Sequence, residues 1–160
     1  MANIYWVNVP SLGRLAVVGR PRSASSYDEF KAAGIDVLVS LLEAEEAVDV
    51  GLGDAAQHCL RAGINFVPLP VTDHGIPTSF EVMDRAVTTI AAHLDDGRGV
   101  AAHCYAGLGR SPLLVCAVLI HHGFSSLEAI DLVSDARGTS VPEMDSQHAW
   151  LQDFAQRRLR

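Results

Sequence analysis

The stretch that decides the fold of this chain is HCYAGLGRS, residues 103–111. The apolar run before it, residues 99–102, predicts a strand, and the longer apolar run after it, residues 113–120, predicts a helix. Backbone N–H groups in a tight loop between a strand and a helix N-terminus point at one spot and attract anions. The stretch therefore predicts an anion site, in which Cys104 is a candidate nucleophile and Arg110 is a candidate phosphate-binding residue.

The residue types inside this loop suit attack on a phosphate ester. Gly107 and Gly109 allow a close approach of the backbone and unusual φ values, and the surrounding N–H groups favour the nucleophilic thiolate of Cys104. The planar fork of Arg110 can hold two phosphoryl oxygens in a geometry that lysine cannot reproduce. Ser111 lies where its hydroxyl can donate to the departing thiolate. We therefore predict a phosphate-binding loop made of Tyr105, Ala106, Gly107, Leu108, Gly109 and Arg110.

A proton donor for the leaving oxygen is expected in the loop PVTDHGIP, residues 70–77. This loop follows a predicted strand directly, so it can reach the same edge of the sheet as Cys104. Asp73 is the candidate, because a positioned general acid accelerates such reactions about 10²–10⁴-fold. An aspartate among glycine and proline residues more often forms a turn, so the assignment of Asp73 depends on the loop it would serve.

The rest of the chain alternates strand-like and helix-like segments. Apolar, β-branched runs predict strands at residues 4–7, 15–18, 35–41, 64–69 and 99–102. The alternation predicts an α/β fold: one domain, residues 1–160, with a central, mainly parallel, twisted sheet of about five strands covered by helices on both faces. Ligands of such folds bind beyond the carboxyl ends of the strands, where Cys104 lies.

Capping-box patterns predict where several helices begin. They occur at Ser26, Thr78 and Ser125, each followed three residues later by a glutamate. Two further helices are predicted at residues 54–62 and 143–159. The helix from Thr78 is expected to bury a face that recurs every four residues, made of Val82, Ala86, Ile90 and Leu94.

Composition narrows the class of protein. The 160 residues carry a formal charge of −7, and no Lys/Arg cluster is large enough to neutralise a nucleic-acid backbone. Every apolar run is shorter than the roughly 20 residues of a membrane span. Three irregularly spaced cysteines do not suggest a disulfide framework or a zinc site. We expect a cytoplasmic monomer that uses no metal ion and no cofactor and binds neither nucleic acid nor a membrane.

The motifs resemble those of the cysteine-dependent protein tyrosine phosphatases. The spacing Cys104-x5-Arg110-Ser111 looks like the signature of that superfamily, and the short chain is similar to its small atypical dual-specificity (VH1-like) branch. The resemblance extends to Val39–Glu43, which matches a VSL-x-E strand end, and to residues 70–73 followed by Pro77, which resemble the general-acid loop. Arg137 with Gly138, Glu143 and Gln147 resembles the segment that closes the far side of the site.

The resemblance implies a two-step hydrolysis without a metal. Cys104 would attack phosphorus while Asp73 protonates the leaving oxygen, and water would then hydrolyse the cysteinyl-phosphate with help from Ser111. Glu143 is a candidate accessory acid and Gln147 a candidate water-positioning residue. His103, whose ring should point away from the nucleophile in the strand, is expected to orient the loop.

The resemblance also implies a substrate class. We expect a protein phosphatase that hydrolyses phosphotyrosine, together with phosphoserine and phosphothreonine, in phosphoproteins or phosphopeptides. The alternative within the same chemistry is a phosphoinositide phosphatase or an RNA 5′-phosphatase that uses the same loop. Such phosphoinositide enzymes usually carry lysines inside the loop, and residues 105–109 supply none.

Two alternatives come from other classes of protein. Gly51, Gly53 and Ala56 fit the GxGxxA pattern of a dinucleotide-binding oxidoreductase, with Asp73 at about the distance that the pattern requires. A phosphoprotein-binding module could instead use the loop around Cys104 without turnover. The presence of nucleophile, arginine and acid together favours an enzyme over such a module.

Overall fold

Five strands form one sheet in a computed structural model that describes residues 2–159; Met1 and Arg160, the ends of the predicted domain, lie outside the described residues. In the sheet the strands follow the order β1-β2-β5-β3-β4. β1 pairs with β2 antiparallel, and every other pairing is parallel. The strands are β1 (Ile4–Trp6), β2 (Leu15–Val18), β3 (Val37–Ser40), β4 (Asn65–Pro68) and β5 (Val100–His103).

Seven helices connect and follow these strands within residues 2–159. They are α1 (Ala24–Ala32), α2 (Ala44–Asp49), α3 (Ala55–Ala62), α4 (Phe80–Asp95), α5 (Arg110–His121), α6 (Ser126–Arg137) and α7 (Asp145–Arg158). None of these described helices is long and apolar enough to cross a membrane.

Hydrophobic cores lie on both faces of the sheet, because neighbouring side chains in a strand point to opposite faces. In β2, Leu15 and Val17 belong to the larger core, while Ala16 and Val18 belong to the smaller one. Helices α4, α5, α6 and α7 cover the larger core, and α1 and α3 cover the smaller one. The predicted fold class is confirmed: an α/β domain with a mainly parallel five-stranded sheet and helices on both faces.

The capping boxes were predicted correctly for α6 but not for α1 and α4. Ser125 caps α6 and exchanges hydrogen bonds with Glu128. The prediction that Ser26 begins α1 is wrong, because Ser23 is the N-cap and Ser26 lies inside the helix. In α4 the hydroxyl of Ser79, one residue after the predicted Thr78, accepts from the N–H of Val82 at 3.2 Å. The N-cap of α1 therefore lies three residues before the predicted one, and the N-cap of α4 lies one residue after it.

The core face of α4 also differs from the prediction. A spacing of four residues advances by about 40° around a helix at each step, since 3.6 residues make one turn. Ile90 and Leu94 are buried as predicted, whereas Val82 lies off that face and is 55% exposed. Met83 and Val87 take the inward positions on the first turns.

The glycines of the dinucleotide-binding alternative do not lie in the strand–turn–helix unit that this function requires. Gly51 and Gly53 lie in the turn between α2 and α3, and neither glycine follows a strand. The pattern requires a strand directly before the glycines, so that the pyrophosphate meets a helix N-terminus. We therefore reject this alternative.

The four parallel strands end at one edge of the sheet. The residues that follow β3, β4 and β5 hydrogen-bond to one another: the N–H of Leu41 donates to His103 and the N–H of Val71 donates to Leu41, both at 3.0 Å. The segments that leave β3 and β4 are thereby held beside the end of β5, and Arg20, which follows β2, donates to the carbonyl of Tyr105 after β5. The predicted site residues lie in the loops after β4 and β5, at the last residue of β5, at the start of α5, and just before and within the first turn of α7.

Candidate active site

The loop from Cys104 to Arg110 turns its carbonyl groups away from the site. Arg20 donates to the carbonyl of Tyr105 at 2.7 Å, and Arg137 donates to the carbonyls of Gly107 at 3.1 Å and Ala106 at 3.3 Å. The N–H of Glu143 donates to the carbonyl of Leu108 at 2.8 Å. Four successive carbonyls are therefore held on the outer side of the loop.

The N–H groups of the same loop are left for a ligand. Among the described residues, none of the backbone N–H groups of residues 105–109 donates to a protein acceptor. Gly107 has φ 73°, a conformation that favours glycine and reverses the chain here. Gly109 is the N-cap residue of α5, whose dipole adds to the attraction for an anion. The loop is a cradle of donors of the kind that binds phosphate.

Cys104 lines the same cavity as most residues of this loop. Cys104 is 3% exposed, and its Sγ lies 3.2 Å from the Oγ of Ser111, which is fully buried at the start of α5. A hydroxyl at this distance can donate a hydrogen bond to a thiolate. The predicted partners Cys104 and Ser111 are thus brought together by the strand, loop and helix of one local segment.

A partly buried carboxylate pairs with Arg110. Glu46, in α2, accepts from Nη1 at 2.7 Å and from Nη2 at 2.8 Å, a bidentate pair. The carbonyl of Val71 also accepts from Nη1 at 3.0 Å. The hydrogen bonds from Arg110 hold the pKa of Glu46 below its ordinary value, although partial burial opposes this shift. Glu46 occupies the edge of the guanidinium formed by Nη1 and Nη2. The edge formed by Nε and Nη2 is therefore the one that can meet a phosphate.

Asp73 reaches Arg110 from the loop after β4. Its Oδ1 lies 3.1 Å from Nη2 of Arg110 and accepts from the N–H of His74 at 3.0 Å. The side chain of Asp73 is half-exposed, which leaves it accessible to a ligand. The structure therefore places the predicted acid beside the same arginine that the loop supplies.

A cavity of about 280 Å³ is bounded by these groups. Asp73, Cys104, Arg110 and Glu143 line it, together with most of the phosphate-binding loop. His74 lines it as well, and its ring nitrogens lie 3.6 Å from Oδ2 of Asp73 and 3.6 Å from Oε1 of Glu143. Glu143, a candidate accessory residue, is thus at the rim of the cavity and next to the acid loop.

Gln147 does not line the cavity but connects two of its walls. It is fully buried, and its Nε2 donates to the carbonyl of Gly75 in the acid loop at 3.1 Å. Its Oε1 accepts from the N–H of Met144 at 3.1 Å. A Cβ added to Gly109 would lie 3.0 Å from Nε2 of Gln147, so the glycine allows this close packing. Gln147 supports the acid loop from the start of α7.

His103 lies behind the nucleophile, at the end of β5. Its ring is buried, and Nδ1 lies 3.3 Å from the carbonyl oxygen of Cys104. Burial lowers the pKa of His103 to about 4, although the hydrogen bond to Cys104 opposes the shift. His103 is therefore neutral near pH 7, and Nδ1 can donate to the carbonyl of Cys104 at the entrance of the loop.

Three residues of this arrangement were not identified from the sequence. Glu46 lies in a charged segment for which the sequence analysis assigned no role, although this segment follows β3 and so begins at the sheet edge where the site lies. Arg20 contacts Tyr105 across 85 positions of the chain, and no local pattern predicts that contact. His74, beside the acid, has φ 59° and is the one non-glycine residue with positive φ among residues 2–159.

Comparison with known protein families gives a match to one family over the segment from β2 to α5. Residues 16–124 match the family model described as "Tc-R-P: Polymorphic toxin system, DSP-PTPase phosphatase". The match covers β2 to α5 and contains Glu46, Asp73 and the Cys104–Arg110 loop. It stops before α6 and α7, which carry Arg137 and Gln147.

Relatives and solved structures agree with this match. Cyclin-dependent kinase inhibitor 3 of Mus musculus is 34% identical over 89 residues, or 53% of this chain and 40% of that protein. The chain spans about half the length of the curated relatives it matches. Kinase associated phosphatase, with its catalytic-site cysteine substituted by serine, has a TM-score of 0.88 and 21% identity, covering 97% of this chain and 94% of that one. Tk-PTP in its active form has a TM-score of 0.80 and 27% identity, covering 96% and 97% respectively.

Proposed function

Because the chain belongs to the DSP-PTPase phosphatase family, we propose that it hydrolyses phosphate monoesters of proteins, phosphotyrosine first and phosphoserine or phosphothreonine as well. The observation that carries the proposal is the loop around Cys104, whose carbonyls at residues 105–108 are bound by other parts of the protein and whose N–H groups at residues 105–109 donate to no described acceptor. A phosphoryl group has three peripheral oxygens to accept from such donors. The loop therefore suits a phosphate ester better than any uncharged substrate.

In the first step the thiolate of Cys104 attacks phosphorus. An S–P bond forms, the ester P–O bond breaks, and the proton of Asp73 passes to the leaving oxygen to give an alcohol or phenol. Arg110 and the loop N–H groups hold the peripheral oxygens, where negative charge is concentrated in the transition state. Glu46 keeps the arginine fork aligned, because it occupies the opposite edge of the guanidinium.

In the second step water attacks the cysteinyl-phosphate. The new P–O bond forms as the S–P bond breaks, Asp73 accepts a proton from the water, and inorganic phosphate leaves. The Ser111 hydroxyl, 3.2 Å from Sγ, donates to the departing thiolate and so stabilises it as a leaving group. Neither step requires a metal ion or cofactor, and we expect turnover to be unaffected by a chelator such as EDTA.

The remaining alternatives receive less support. Asp73 beside Arg110 at the mouth of the cavity supports turnover rather than a binding module that only holds phosphoproteins. A phosphoinositide or RNA 5′-phosphate substrate would use the same chemistry, but residues 105–109 supply no lysine to hold additional phosphates.

Location and assembly are proposed on chemical grounds. The described cysteines, Cys59, Cys104 and Cys116, are all free thiols, and the proposed chemistry requires a reduced Cys104. A reducing compartment such as the cytoplasm supports this state. We propose that the protein acts there as a monomer, without nucleic acid or a membrane as partner; light scattering of the purified chain tests the monomer.

Substitution of the nucleophile and the acid tests the proposed function. Cys104→Ser should abolish hydrolysis of phosphotyrosine peptides while it retains peptide binding, because only the nucleophile is lost. Asp73→Asn should slow esters with poor leaving groups about 10²–10⁴-fold, and should slow nitrophenyl phosphate far less, because nitrophenolate leaves without a proton. Substantial turnover by Cys104→Ser, or equal slowing of both esters by Asp73→Asn, would contradict the assignments.

A further inference from the structure

The turn that carries Asp73 has an unusual residue at its third position. The N–H of Gly75 donates to the carbonyl of Thr72 at 2.8 Å, which closes a four-residue turn over residues 72–75. His74 is the third residue of this turn and has φ 59°. Turns with a positive φ at the third position favour glycine or asparagine there. A histidine in this conformation points to a role of its side chain that glycine could not fill.

The ring of His74 contacts the carboxylate of the proposed acid. Its Nδ1 lies 3.6 Å from Oδ2 of Asp73. The other carboxylate oxygen, Oδ1, accepts from the N–H of His74 at 3.0 Å and lies 3.1 Å from Nη2 of Arg110. An oxygen that already faces two donors is the less favourable place for a proton. We therefore expect the proton of Asp73 on Oδ2, beside the ring of His74.

The second ring nitrogen connects His74 to a segment that is fixed to the phosphate-binding loop. Its Nε2 lies 3.6 Å from Oε1 of Glu143, a residue between α6 and α7. The N–H of Glu143 donates to the carbonyl of Leu108 at 2.8 Å, so the backbone of Glu143 is tied to the loop that begins at Cys104. A series of contacts therefore runs from the acid through the imidazole to the phosphate-binding loop.

The ring of His74 also separates two carboxylates at the mouth of the cavity. Asp73 and Glu143 both line this cavity, and each lies within ion-pair distance of a different nitrogen of the same ring. Two carboxylates brought close together repel each other, whereas each is attracted to an imidazole N–H. The ring therefore favours one arrangement of two acidic side chains that would otherwise move apart.

Resting on the phosphatase function proposed above, we propose that His74 is a positioning residue for the general acid. One ring nitrogen contacts Oδ2 of Asp73 and the other contacts Glu143, so that Oδ2 is held toward the leaving oxygen of the substrate. His74 itself transfers no proton in this role. Its effect is therefore confined to the steps in which Asp73 gives or accepts a proton.

The position of His74 makes a purely structural effect separable from this role. Its side chain is 61% exposed, so a shorter side chain leaves no cavity in either hydrophobic core. His74→Asn keeps the turn, because asparagine tolerates a positive φ. The shorter amide cannot contact Asp73 and Glu143 at the same time. This variant therefore removes the bridge and retains the backbone that carries Asp73.

The test compares two esters that differ in their need for an acid. The values of kcat and KM are measured for phenyl phosphate, a poor leaving group, and for nitrophenyl phosphate, at low and high salt. The proteins are wild type, His74→Asn, Glu143→Gln and the double variant. Asp145→Asn is the control, because this exposed carboxylate lies two residues after Glu143 and does not line the cavity.

We expect His74→Asn to lower kcat for phenyl phosphate about three- to tenfold, with KM changed less than twofold and with nitrophenyl phosphate slowed less than twofold. Glu143→Gln should lower the same kcat about two- to fivefold, as expected for the loss of an exposed charged contact. The double variant should be no slower than His74→Asn, because both substitutions remove the same bridge. High salt should reduce the difference between wild type and each variant, and Asp145→Asn should behave like wild type.

Three results would overturn the positioning role while the phosphatase function stands. They are equal slowing of the two esters by His74→Asn, independent and multiplicative effects of the two substitutions, and an equal effect of Asp145→Asn and Glu143→Gln. Glu143→Gln provides the decision on its own if His74→Asn has a lower urea midpoint than wild type. Absence of turnover of both esters by the wild-type protein would overturn the proposed function and, with it, the role of His74.

Discussion

At the scale of single residues, a carboxylate from a different helix pairs with the guanidinium of Arg110. Arg110 is almost fully buried, and burial of an unpaired guanidinium is unfavourable. Glu46 neutralises it through two hydrogen bonds, and Asp73 Oδ1 lies 3.1 Å from Nη2 on the adjacent edge of the fork. The charge of Glu46 therefore contributes both to stability and to the geometry of phosphate binding.

We predict that Glu46→Gln lowers kcat/KM for an aryl phosphate about 10- to 100-fold. The amide keeps the size of the side chain but loses the bidentate, charged contact, and hydrogen bonds to charged groups contribute about 1.5–3 kcal/mol; about 1.4 kcal/mol corresponds to a tenfold change. Glu45→Gln, on an exposed position of the same helix, is the matched control. Equal activity of the two variants would show that Arg110 is oriented without Glu46.

The same pair predicts a pH dependence of stability. The pKa of Glu46 is lowered in the folded protein, so the unfolded chain binds its proton first as pH falls. The stabilisation is complete above the ordinary glutamate pKa of about 4.3 and is lost as pH falls through the lower, folded value. The difference in urea midpoint between wild type and Glu46→Gln should therefore shrink on acidification below pH 4.3; a constant difference would contradict the ion pair.

The residues that sequence alone can identify are those within one local segment. Cys104, Arg110 and Ser111 lie within eight positions, so strand, loop and helix geometry decides their relation. Glu46 lies 64 positions from Arg110, and Arg20 lies 85 positions from Tyr105. Contacts at that separation depend on the order of strands in the sheet, which no local spacing specifies.

At the scale of elements, the start of α7 supports the acid loop. Gln147 is fully buried and bridges the N–H of Met144 and the carbonyl of Gly75, two residues after Asp73. The same side chain packs against Gly109 at the start of α5. One glutamine therefore couples the ends of two helices to the loop that carries the proposed acid.

We predict that Gln147→Ala impairs the acid more than the nucleophile. Without the amide, the carbonyl of Gly75 loses its donor and the acid loop its tether, so esters with poor leaving groups should slow at least tenfold more than nitrophenyl phosphate. Gln152→Ala, exposed on the same helix, serves as the control and should behave like wild type. Equal slowing of both esters by Gln147→Ala would show that the tether does not act through Asp73.

The start and the core face of α4 show what the sequence pattern could not predict. The helix after the acid loop was expected, but its cap is Ser79 rather than Thr78, and both residue types make good caps. Val82 was placed in the core by a spacing of four, which drifts around a helix of 3.6 residues per turn. Met83, Val87, Ile90 and Leu94 form the inner face instead, at the i, i+4, i+7 and i+11 spacing that keeps to one side of a helix.

At the scale of the whole molecule, one sheet serves two hydrophobic cores. Adjacent residues of β2, β3 and β5 contribute to opposite cores, so neither core can form without the shared strands. Each of the two tryptophans packs on a different face: Trp6 on the smaller core and Trp150 on the larger one. The tryptophans therefore report separately on the two halves of the fold.

We predict that the chain unfolds as one cooperative domain. In single-tryptophan variants, Trp6→Phe and Trp150→Phe, the urea transitions followed by fluorescence should each coincide with the transition followed by circular dichroism of the same protein, as expected for a two-state unit. The two probes sit on opposite faces, so a shared transition requires the sheet to unfold with both cores. Separate fluorescence and circular dichroism midpoints in either variant would contradict the single domain.

In the proposed mechanism Cys104 carries the phosphoryl group during turnover, so the cysteinyl-phosphate can be trapped and identified. Ser111→Ala should slow departure of the thiolate, so that the cysteinyl-phosphate accumulates. The variant is mixed with nitrophenyl phosphate, quenched with acid within one turnover and analysed by peptide mass spectrometry. We predict one phosphoryl group on the peptide that contains Cys104, and none on the same peptide when Cys104→Ser is added. Continued release of nitrophenol with Cys104 unmodified, or with the phosphoryl group on another residue, would contradict the mechanism.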